Sequence, residues 1–240
     1  MSENKAFNLL RACSPTISAG ILSADLMHLS SELALLEGTD VKAVHFDVMD
    51  GRFVPMMTTG PVFIKAVKTS LLKDVHLMIQ DPQVSVKEYV QAGADIITVH
   101  VESCKDIRSL LRELGTMENK NDPDRGLIRG VALNPDTPVQ VLEPLFDDIE
   151  MIVVLGVDPA VKGQAFNEST GSRFAQVKEM VTAVKKETLL CIDGGVKRDN
   201  IAAIAKIGAD LVVSGSALFD GKAPLENARF MLNAIKTQAN

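Results

Sequence analysis

The chain has 240 residues, of which 46% are hydrophobic and 23% are charged, and its formal net charge at pH 7 is −6. This length and apolar content are sufficient for one α/β domain with a substantial core. The acidic balance, without any basic run, argues against a nucleic acid or an anionic membrane as a partner. An anionic metabolite remains compatible with it, because backbone N–H groups and helix starts supply a local positive field.

The sequence also bears on where the protein works. No stretch approaches the ~18 consecutive apolar residues of a membrane-spanning helix. Residues 1–11 begin with polar side chains and lack the apolar segment of a secretion signal. The three cysteines, Cys13, Cys104 and Cys191, are odd in number and widely spaced, which is not typical of a disulfide framework. We therefore expect a cytoplasmic location.

Short apolar runs alternate with amphipathic stretches along the chain. The apolar runs predict eight strands, near residues 17–22, 43–46, 74–78, 96–100, 128–133, 151–157, 189–192 and 211–214. The amphipathic stretches predict helices near residues 27–36, 62–68, 84–91, 107–114, 139–145, 173–185, 200–207 and 225–235. Eight such units predict an α/β fold of the (β/α)8 TIM barrel type. An open doubly wound sheet is the main alternative, and the lack of a Gly-rich loop after the first strand argues against it.

Two segments fall outside this alternation. Residues 1–15 are predicted to form a polar N-terminal extension, and residues 115–126 are predicted to form an exposed, mobile loop insertion. The alternation resumes directly after the insertion. We therefore expect residues 1–240 to form a single barrel domain.

Polar side chains with metal-binding chemistry stand at the ends of several predicted strands. His45 and Asp47 are two positions apart and so point to the same side of their strand, His76 follows in the next strand, and Asp193 ends the seventh. The carboxyl ends of barrel strands meet at one mouth, which would bring these four residues together. Two imidazoles and two carboxylates suit a divalent cation such as Zn, Mn, Co or Fe. The alternative is that these histidines are hydrogen-bonded structural residues.

The remaining histidines are less informative. His28 lies in a helical stretch and is expected to be exposed. His100 ends the fourth strand, where it either supports the metal ligands or simply lines the mouth.

A cation beside two carboxylates suggests a reaction class. Removal of a proton from a carbon next to a carbonyl leaves an ene-diolate, whose charge a cation stabilises. One carboxylate on each side of that planar species can take the proton from one face and return it to the other. Such a reaction inverts the configuration of the carbon.

The strongest motif is His45–Pro55, with the sequence His-Phe-Asp-Val-Met-Asp-Gly-Arg-Phe-Val-Pro. Four further segments follow in order: residues 74–79 (Asp-Val-His-Leu-Met-Ile), 132–138 (Ala-Leu-Asn-Pro-Asp-Thr-Pro), 193–196 (Asp-Gly-Gly-Val) and 214–219 (Ser-Gly-Ser-Ala-Leu-Phe). Together they make the chain resemble the ribulose-phosphate 3-epimerase family from about Ile17 to Ala234. Any one of the shorter segments alone would be a weak match.

The resemblance implies a (β/α)8 barrel that interconverts D-ribulose 5-phosphate and D-xylulose 5-phosphate at C3, in a protein that is often a homo-oligomer. It further implies that four residues bind one divalent metal ion (Zn, Fe, Mn or Co), namely His45, Asp47, His76 and Asp193. Asp47 and Asp193 would then be the catalytic acid–base pair. Met49 and Met78 correspond to methionines that cap the reaction intermediate, although ordinary core filling explains them equally well.

Phosphate recognition is expected at the loops after the seventh and eighth strands. The residues are Gly194, Gly195, Gly215 and Ser216, since glycine lets the backbone approach an anion closely. Tight turning alone is the alternative explanation for these glycines.

The loop after the sixth strand departs from the family pattern. Residues 158–166 read Asp-Pro-Ala-Val-Lys-Gly-Gln-Ala-Phe, so Ala160 and Lys162 replace two glycines while Gly163 is kept as a candidate phosphate contact. We hypothesise that the charge of Lys162 partly replaces the lost backbone contacts. The substrate therefore stays open between D-ribulose 5-phosphate, D-allulose 6-phosphate and another ketose phosphate. A sugar-phosphate-binding protein without turnover also stays possible, as does a metal-free phosphate-binding barrel, which the pair His45 and His76 disfavours.

Overall fold

The computed structural model describes residues 4–161 and 163–237, and its centre is a closed barrel of eight parallel strands paired in chain order. The strands are β1 (Thr16–Gly20), β2 (Ala43–Met49), β3 (Leu72–Met78), β4 (Ile96–His100), β5 (Ile128–Leu133), β6 (Met151–Leu155), β7 (Leu189–Asp193) and β8 (Leu211–Ser214). The predicted (β/α)8 barrel is thus confirmed. Within the described ranges, no helix has the length and apolar character needed to cross a membrane.

One helix precedes the first strand, and the other helices follow strands around the outside of the barrel. They are α1 (Lys5–Cys13), α2 (Leu29–Glu37), α3 (Pro61–Ala66), α4 (Val86–Gln91), α5 (Ile107–Leu114), α6 (Thr170–Val184), α7 (Ile201–Ala205) and α8 (Pro224–Thr237). Short 3-10 helices cover Ile21–Ser23, Pro82–Val84, Pro123–Arg125 and Val139–Asp148. The last of these replaces the helix predicted after β5. Pro144 lies inside it, lacks an N–H donor and disfavours regular α-helical hydrogen bonding.

The helix α1 closes the barrel at the amino ends of the strands. Its buried side chains, Ala6, Phe7 and Leu10, belong to the same apolar cluster as the inward-facing residues of the strand starts. Those residues are Ala43, Leu72, Ile96, Ile128, Leu189 and Leu211. The predicted polar extension therefore carries an amphipathic helix whose apolar side completes the core.

The segment at residues 115–126 is anchored near the same end of the barrel. The buried amide of Asn119 donates to Asp95 Oδ1 at 2.9 Å and to the carbonyl oxygen of Gly126 at 2.8 Å. Arg125 adds an ion pair with Asp95 at 3.0 Å. This loop, expected to be exposed, is thus tied to the residue that precedes β4, away from the carboxyl ends of the strands.

The register between β2 and β3 prepares the functional site. The two strands pair continuously from Ala43↔Leu72 to Met49↔Met78, which sets Asp47 beside His76. Because side chains alternate along a strand, His45 and Asp47 both face the barrel interior, while Phe46 between them packs in the outer core. Strand pairing therefore brings metal-competent side chains from both strands to one point.

Candidate metal and proton-transfer site

Four side chains meet at the carboxyl end of the barrel. The ligand-type atoms of His45, Asp47, His76 and Asp193 all lie within 4.8 Å of one another. They come from the paired neighbours β2 and β3 and from β7, which comes near them only because the barrel closes. The structure thus brings together all four residues that the sequence predicted as ligands.

The distances between these atoms fit a single small cation. His45 Nε2 lies 3.1 Å from Asp47 Oδ1 and 3.6 Å from Asp193 Oδ2. His76 Nδ1 lies 3.5 Å and 3.1 Å from the same two oxygens. A tetrahedral site with ligand bonds near 2.1 Å requires donor atoms about 3.4 Å apart. The cluster therefore fits a divalent metal ion in both donor type and spacing.

The second ring nitrogen of His45 is held by a buried carboxylate. His45 Nδ1 lies 2.7 Å from Asp74 Oδ2, and that oxygen also accepts a hydrogen bond from Ser18 Oγ at 2.8 Å. Asp74 is almost fully buried, and its Oδ1 has no hydrogen-bond partner among the described residues. Donation from Nδ1–H to Asp74 leaves the Nε2 lone pair of His45 directed at the cluster.

The second ring nitrogen of His76 contacts another histidine. His76 Nε2 lies 2.8 Å from Nε2 of the fully buried His100, whose Nδ1 lies 3.2 Å from Glu102 Oε2. The structure therefore places His100 directly behind a candidate ligand, a position that fits support of the metal ligands better than lining of the mouth. His28, by contrast, is exposed, as expected, and its ring pairs with Asp25 just before α2.

Electrostatics in the cluster favour charge separation between rings and carboxylates. Burial alone would lower the pKa of His45, but Asp74 and Asp47 outweigh it and raise that pKa well above its usual value. Burial also works against the His76 imidazolium, yet Asp193 and Asp47 raise the pKa of His76 to about 8. Burial would raise the pKa of Asp47, but His45 and His76 hold it far below the normal range. A positive charge at this position is therefore strongly stabilised.

The two aspartates are the members of the cluster that reach the barrel mouth. Their side chains are 21% (Asp47) and 12% (Asp193) exposed, whereas both imidazoles are essentially buried. The backbone around Asp47 is fixed by Thr58, whose hydroxyl donates to the Asp47 carbonyl at 2.5 Å. A molecule entering from the mouth thus meets the carboxylates before it meets the histidines.

Two methionines lie just beyond the cluster, at the ends of their strands. Met49 and Met78 are paired across β2 and β3. Met78 is buried, and Met49 is half-buried. Their position is compatible with contact to a molecule in the mouth and equally with core packing.

The glycines expected to bind phosphate lie in tight loops beside the mouth. Gly194 and Gly195 have φ values of 92° and 73°, and a Cβ on Gly194 would come within 2.6 Å of Val157. A Cβ on Gly215 would come within 3.0 Å of the Gly20 carbonyl oxygen. Close packing therefore explains these glycines in part, and the phosphate role remains a prediction. Ser216 beside them is exposed.

The loop after β6 packs against the loop after β7. Phe166 lies close to both Gly156 and Gly195, and Gly156 N donates to the Asp193 carbonyl at 2.6 Å. Gly163 is exposed with a φ of 74°. Lys162 lies outside the described residues, so its charge contact stays a hypothesis.

Sequence reasoning missed two residues near the cluster: Asp74 contacts the candidate ligand His45, and Glu102 contacts His100 behind the candidate ligand His76. Asp74 and Glu102 are each two positions from a strand-end histidine. The signal was present, since Asp74-x-His76 and His100-x-Glu102 repeat the acid–histidine spacing of His45-x-Asp47. Recognising the role of these acidic residues required knowing which residues are paired between neighbouring strands.

Comparison with known proteins agrees with this geometry. The profile described as "Ribulose-phosphate 3 epimerase family" matches residues 16–219. "Ribulose-phosphate 3-epimerase" of Bacillus subtilis (strain 168) is 38% identical over 206 residues, covering 85% of this chain and 91% of that protein. The protein of the same name from Escherichia coli (strain K12) is 36% identical over 209 residues, covering 85% and 88%.

A solved structure with the same architecture is that titled "Crystal structure of KGPDC from Streptococcus mutans", with a TM-score of 0.70 over 95% of this chain and 100% of that one. At 15% sequence identity, this likeness concerns the fold alone. The profile match and the sequence identities go further: they show that this chain belongs to the ribulose-phosphate 3-epimerase family.

Proposed function

We propose that this protein is a metal-dependent epimerase that inverts C3 of D-ribulose 5-phosphate to give D-xylulose 5-phosphate. The observation that carries the proposal is the placement of two aspartates at the rim of a buried pair of imidazoles, with donor spacing that fits one cation. The names of the relatives at 35–38% identity support the same reaction.

The proposed metal residues are His45, Asp47, His76 and Asp193. A divalent cation held there supplies positive charge that stabilises the oxygen atoms of the sugar when C3 loses its proton. Zn, Fe, Mn and Co all suit two imidazoles and two carboxylates, and the donor set does not select one of them.

Asp47 and Asp193 are the proposed catalytic acid–base pair. They belong to β2 and β7, and so approach a molecule in the mouth from different sides of the barrel. One carboxylate accepts the C3 proton, and the other, in its acid form, donates a proton to the opposite face of the planar carbon. The reverse reaction exchanges these roles.

Solvent exchange tests this assignment directly. In D2O, with Mn²⁺ or Zn²⁺ present, we expect the protein to introduce deuterium at C3 of D-ribulose 5-phosphate. Asp47→Asn and Asp193→Asn should each abolish the exchange. Asp148→Asn is a matched control, because that carboxylate pairs with arginines on α5 outside the site. Exchange that survives both aspartate substitutions would refute the two-carboxylate mechanism.

The remaining candidate residues are proposed to bind the substrate, a ketose phosphate. We propose that Gly163, Gly194, Gly195, Gly215 and Ser216, with Lys162, bind the phosphate, and that Met49 and Met78 cover the flattened sugar carbon. The altered loop after β6 is the reason to assay D-allulose 6-phosphate in the same experiment. If Lys162→Ala leaves the KM for the phosphorylated sugar unchanged, Lys162 does not contribute to phosphate binding.

We also propose a cytoplasmic protein whose partner is a small molecule, with neither nucleic acid nor membrane involved, and which assembles as a homo-oligomer. The acidic net charge of −6 and the three free cysteines support the first two points. Membership of the family supports the last. Light scattering of the purified protein measures the oligomeric state.

A further inference from the structure

His100 is fixed behind the metal-competent cluster at the end of β4. It is fully buried, its ring is parallel to that of His76 within 4°, and the ring centroids are 4.9 Å apart. The ring centroid of Phe53 lies 4.8 Å from that of His100 and restricts its rotation. The short contact between the two Nε2 atoms, at 2.8 Å, is therefore a built feature of the site.

The contact between two Nε2 atoms has room for one hydrogen only. If His76 offers Nδ1 to a cation, that nitrogen carries no hydrogen, and the ring must carry its hydrogen on Nε2. His76 then donates to His100, whose Nε2 accepts. His100 must carry its own hydrogen on Nδ1, which faces Glu102 Oε2 at 3.2 Å. With metal bound and both rings neutral, the hydrogen bonds that join His76, His100 and Glu102 allow only one arrangement of hydrogens.

Glu102 is held as an acceptor on both of its oxygens. Its Oε1 accepts hydrogen bonds from the backbone N–H of Asn134, at 2.8 Å, and from the hydroxyl of Thr137. Both residues belong to the loop after β5, which Arg173 of α6 braces by donating to the Asn134 carbonyl at 3.0 Å. An ionised carboxylate has no hydrogen to give, so Glu102 can only accept from His100.

We propose that His100 and Glu102 are positioning residues, which hold His76 in the tautomer that presents Nδ1 to the metal ion. This inference rests on the proposed function, because it assumes that His76 is a ligand. It extends that function by assigning a role to a further strand end, that of β4, and to the loop after β5. Neither residue needs to touch the sugar.

The substitution Glu102→Gln tests this series of hydrogen bonds at Glu102, whose carboxylate is held by the loop after β5. If the glutamine oxygen faces His100, its NH2 group faces the Asn134 N–H, which is also a donor. If the amide is reversed, its NH2 group faces His100 Nδ1, which must then accept, and the hydrogens of both rings shift. His76 would carry its hydrogen on Nδ1, the atom required for the metal. In either orientation one contact is lost.

We expect Glu102→Gln to weaken Zn²⁺ binding about 10- to 100-fold, the range typical for loss of a partner behind a metal-binding histidine. Affinity is measured by competition with a chromophoric chelator, with no sugar present. Glu150→Gln is the matched control, since the side chains of Glu102 and Glu150 are 22% and 18% exposed and Glu150 also accepts a backbone hydrogen bond, at the opposite end of the barrel. It should bind Zn²⁺ like the wild type.

Nitrogen-15 NMR of the histidine rings provides a second measurement that needs no variant. In the Zn²⁺-loaded wild type, His76 should carry its hydrogen on Nε2 and His100 on Nδ1. Any other tautomer of either ring overturns the proposal, as does equal Zn²⁺ affinity of Glu102→Gln and wild type, or equal weakening in Glu150→Gln. A wild type that binds no Zn²⁺ would instead refute the metal site of the proposed function, and this inference with it.

Discussion

The two candidate ligand histidines are oriented by opposite ring nitrogens. His45 turns Nε2 toward the cluster and Nδ1 toward Asp74, whereas His76 turns Nδ1 toward the cluster and Nε2 toward His100. Each ring thus has one nitrogen for the cation and one hydrogen-bonded partner behind it. The partners differ in kind, since one is a buried carboxylate and the other is an imidazole.

The carboxylate behind His45 should control metal affinity. Asp74→Asn keeps the shape of the side chain but removes the charge that faces His45 Nδ1 at 2.7 Å. We expect the Kd for Zn²⁺ to rise about 10- to 100-fold, because the ring loses basicity and its tautomer is less firmly fixed. The measurement is chelator competition, with circular dichroism to establish that the variant is folded.

Ser18→Ala is the graded comparison for Asp74→Asn. It removes the hydrogen bond that the Ser18 hydroxyl donates to Asp74 Oδ2 and leaves the carboxylate itself in place. The expected effect on Zn²⁺ affinity is therefore smaller than that of Asp74→Asn. A larger effect from Ser18→Ala would mean that packing, and not the charge on Asp74, governs the site.

The sequence predicted the four candidate ligands but not the residues behind them. His45, His76 and Asp193 stand out because each ends or nearly ends an apolar run. Asp74 reaches His45 across the β2–β3 pair, and Glu102 reaches His76 only through His100 on the neighbouring β4. Those relations depend on strand register, which the local pattern does not contain. The candidate ligands were thus predictable from the chemistry of their side chains, whereas the residues hydrogen-bonded behind them were not.

At the scale of elements, the sequence predicted strand ranges well where a continuous apolar run is the dominant signal. The ranges of β4, β5 and β8 agree with their apolar runs, because strands covered on both faces need continuous apolar sequence. The run at residues 151–157 overestimated β6, which ends at Leu155 where the Gly156 turn begins. After β5 the amphipathic pattern was present, but Pro144 made the element a 3-10 helix.

The packing of α5 on that 3-10 helix depends on a buried carboxylate. Asp148 ends the 3-10 helix and accepts from Arg108 Nε at 3.0 Å and Arg112 Nε at 3.3 Å. Burial would raise the pKa of Asp148, but the two guanidinium groups lower it below its usual value. Since the folded pKa is depressed, the ionised carboxylate stabilises the fold above about pH 4, and this contribution disappears as the pH falls through the folded pKa.

Asp148→Asn should lower the free energy of unfolding by about 1 kcal/mol at pH 7, a modest value because both arginine side chains are largely exposed. The loss relative to wild type should shrink as the pH falls toward 3. Urea denaturation at both pH values measures it. Asp147→Asn, one residue earlier and exposed, is the control and should change stability little. Equal destabilisation at both pH values would contradict the ion-pair explanation.

At the scale of the whole molecule, the cluster joins parts of the chain that are distant in sequence. His45 and Asp193 are supplied by β2 and β7, and the barrel must close before their side chains can approach to 3.6 Å. In the metal-free protein, the charges of this cluster are balanced by protons on the imidazoles, whose pKa values are raised. A cation replaces those protons, so metal binding and folding stability are linked through pH.

The sign of this linkage follows from His76. Its pKa of about 8 in the folded, metal-free protein lies above the usual 6.5, so its protonation stabilises that fold below about pH 6.5. This contribution, about 2 kcal/mol for a shift of this size, is lost as the pH rises through 8. A bound metal ion keeps the ring unprotonated, so the metal-bound protein does not lose this stability as the pH rises.

We therefore expect saturating Zn²⁺ to raise the Tm more at pH 8.5 than at pH 6.5, relative to protein in a chelator. In His76→Gln the Zn²⁺ stabilisation should be smaller at both pH values, because a proposed ligand is lost, and the difference between the two pH values should shrink with the titrating ring gone. A Zn²⁺ stabilisation that stays constant or falls between pH 6.5 and 8.5 would show that the imidazoles do not exchange protons for metal.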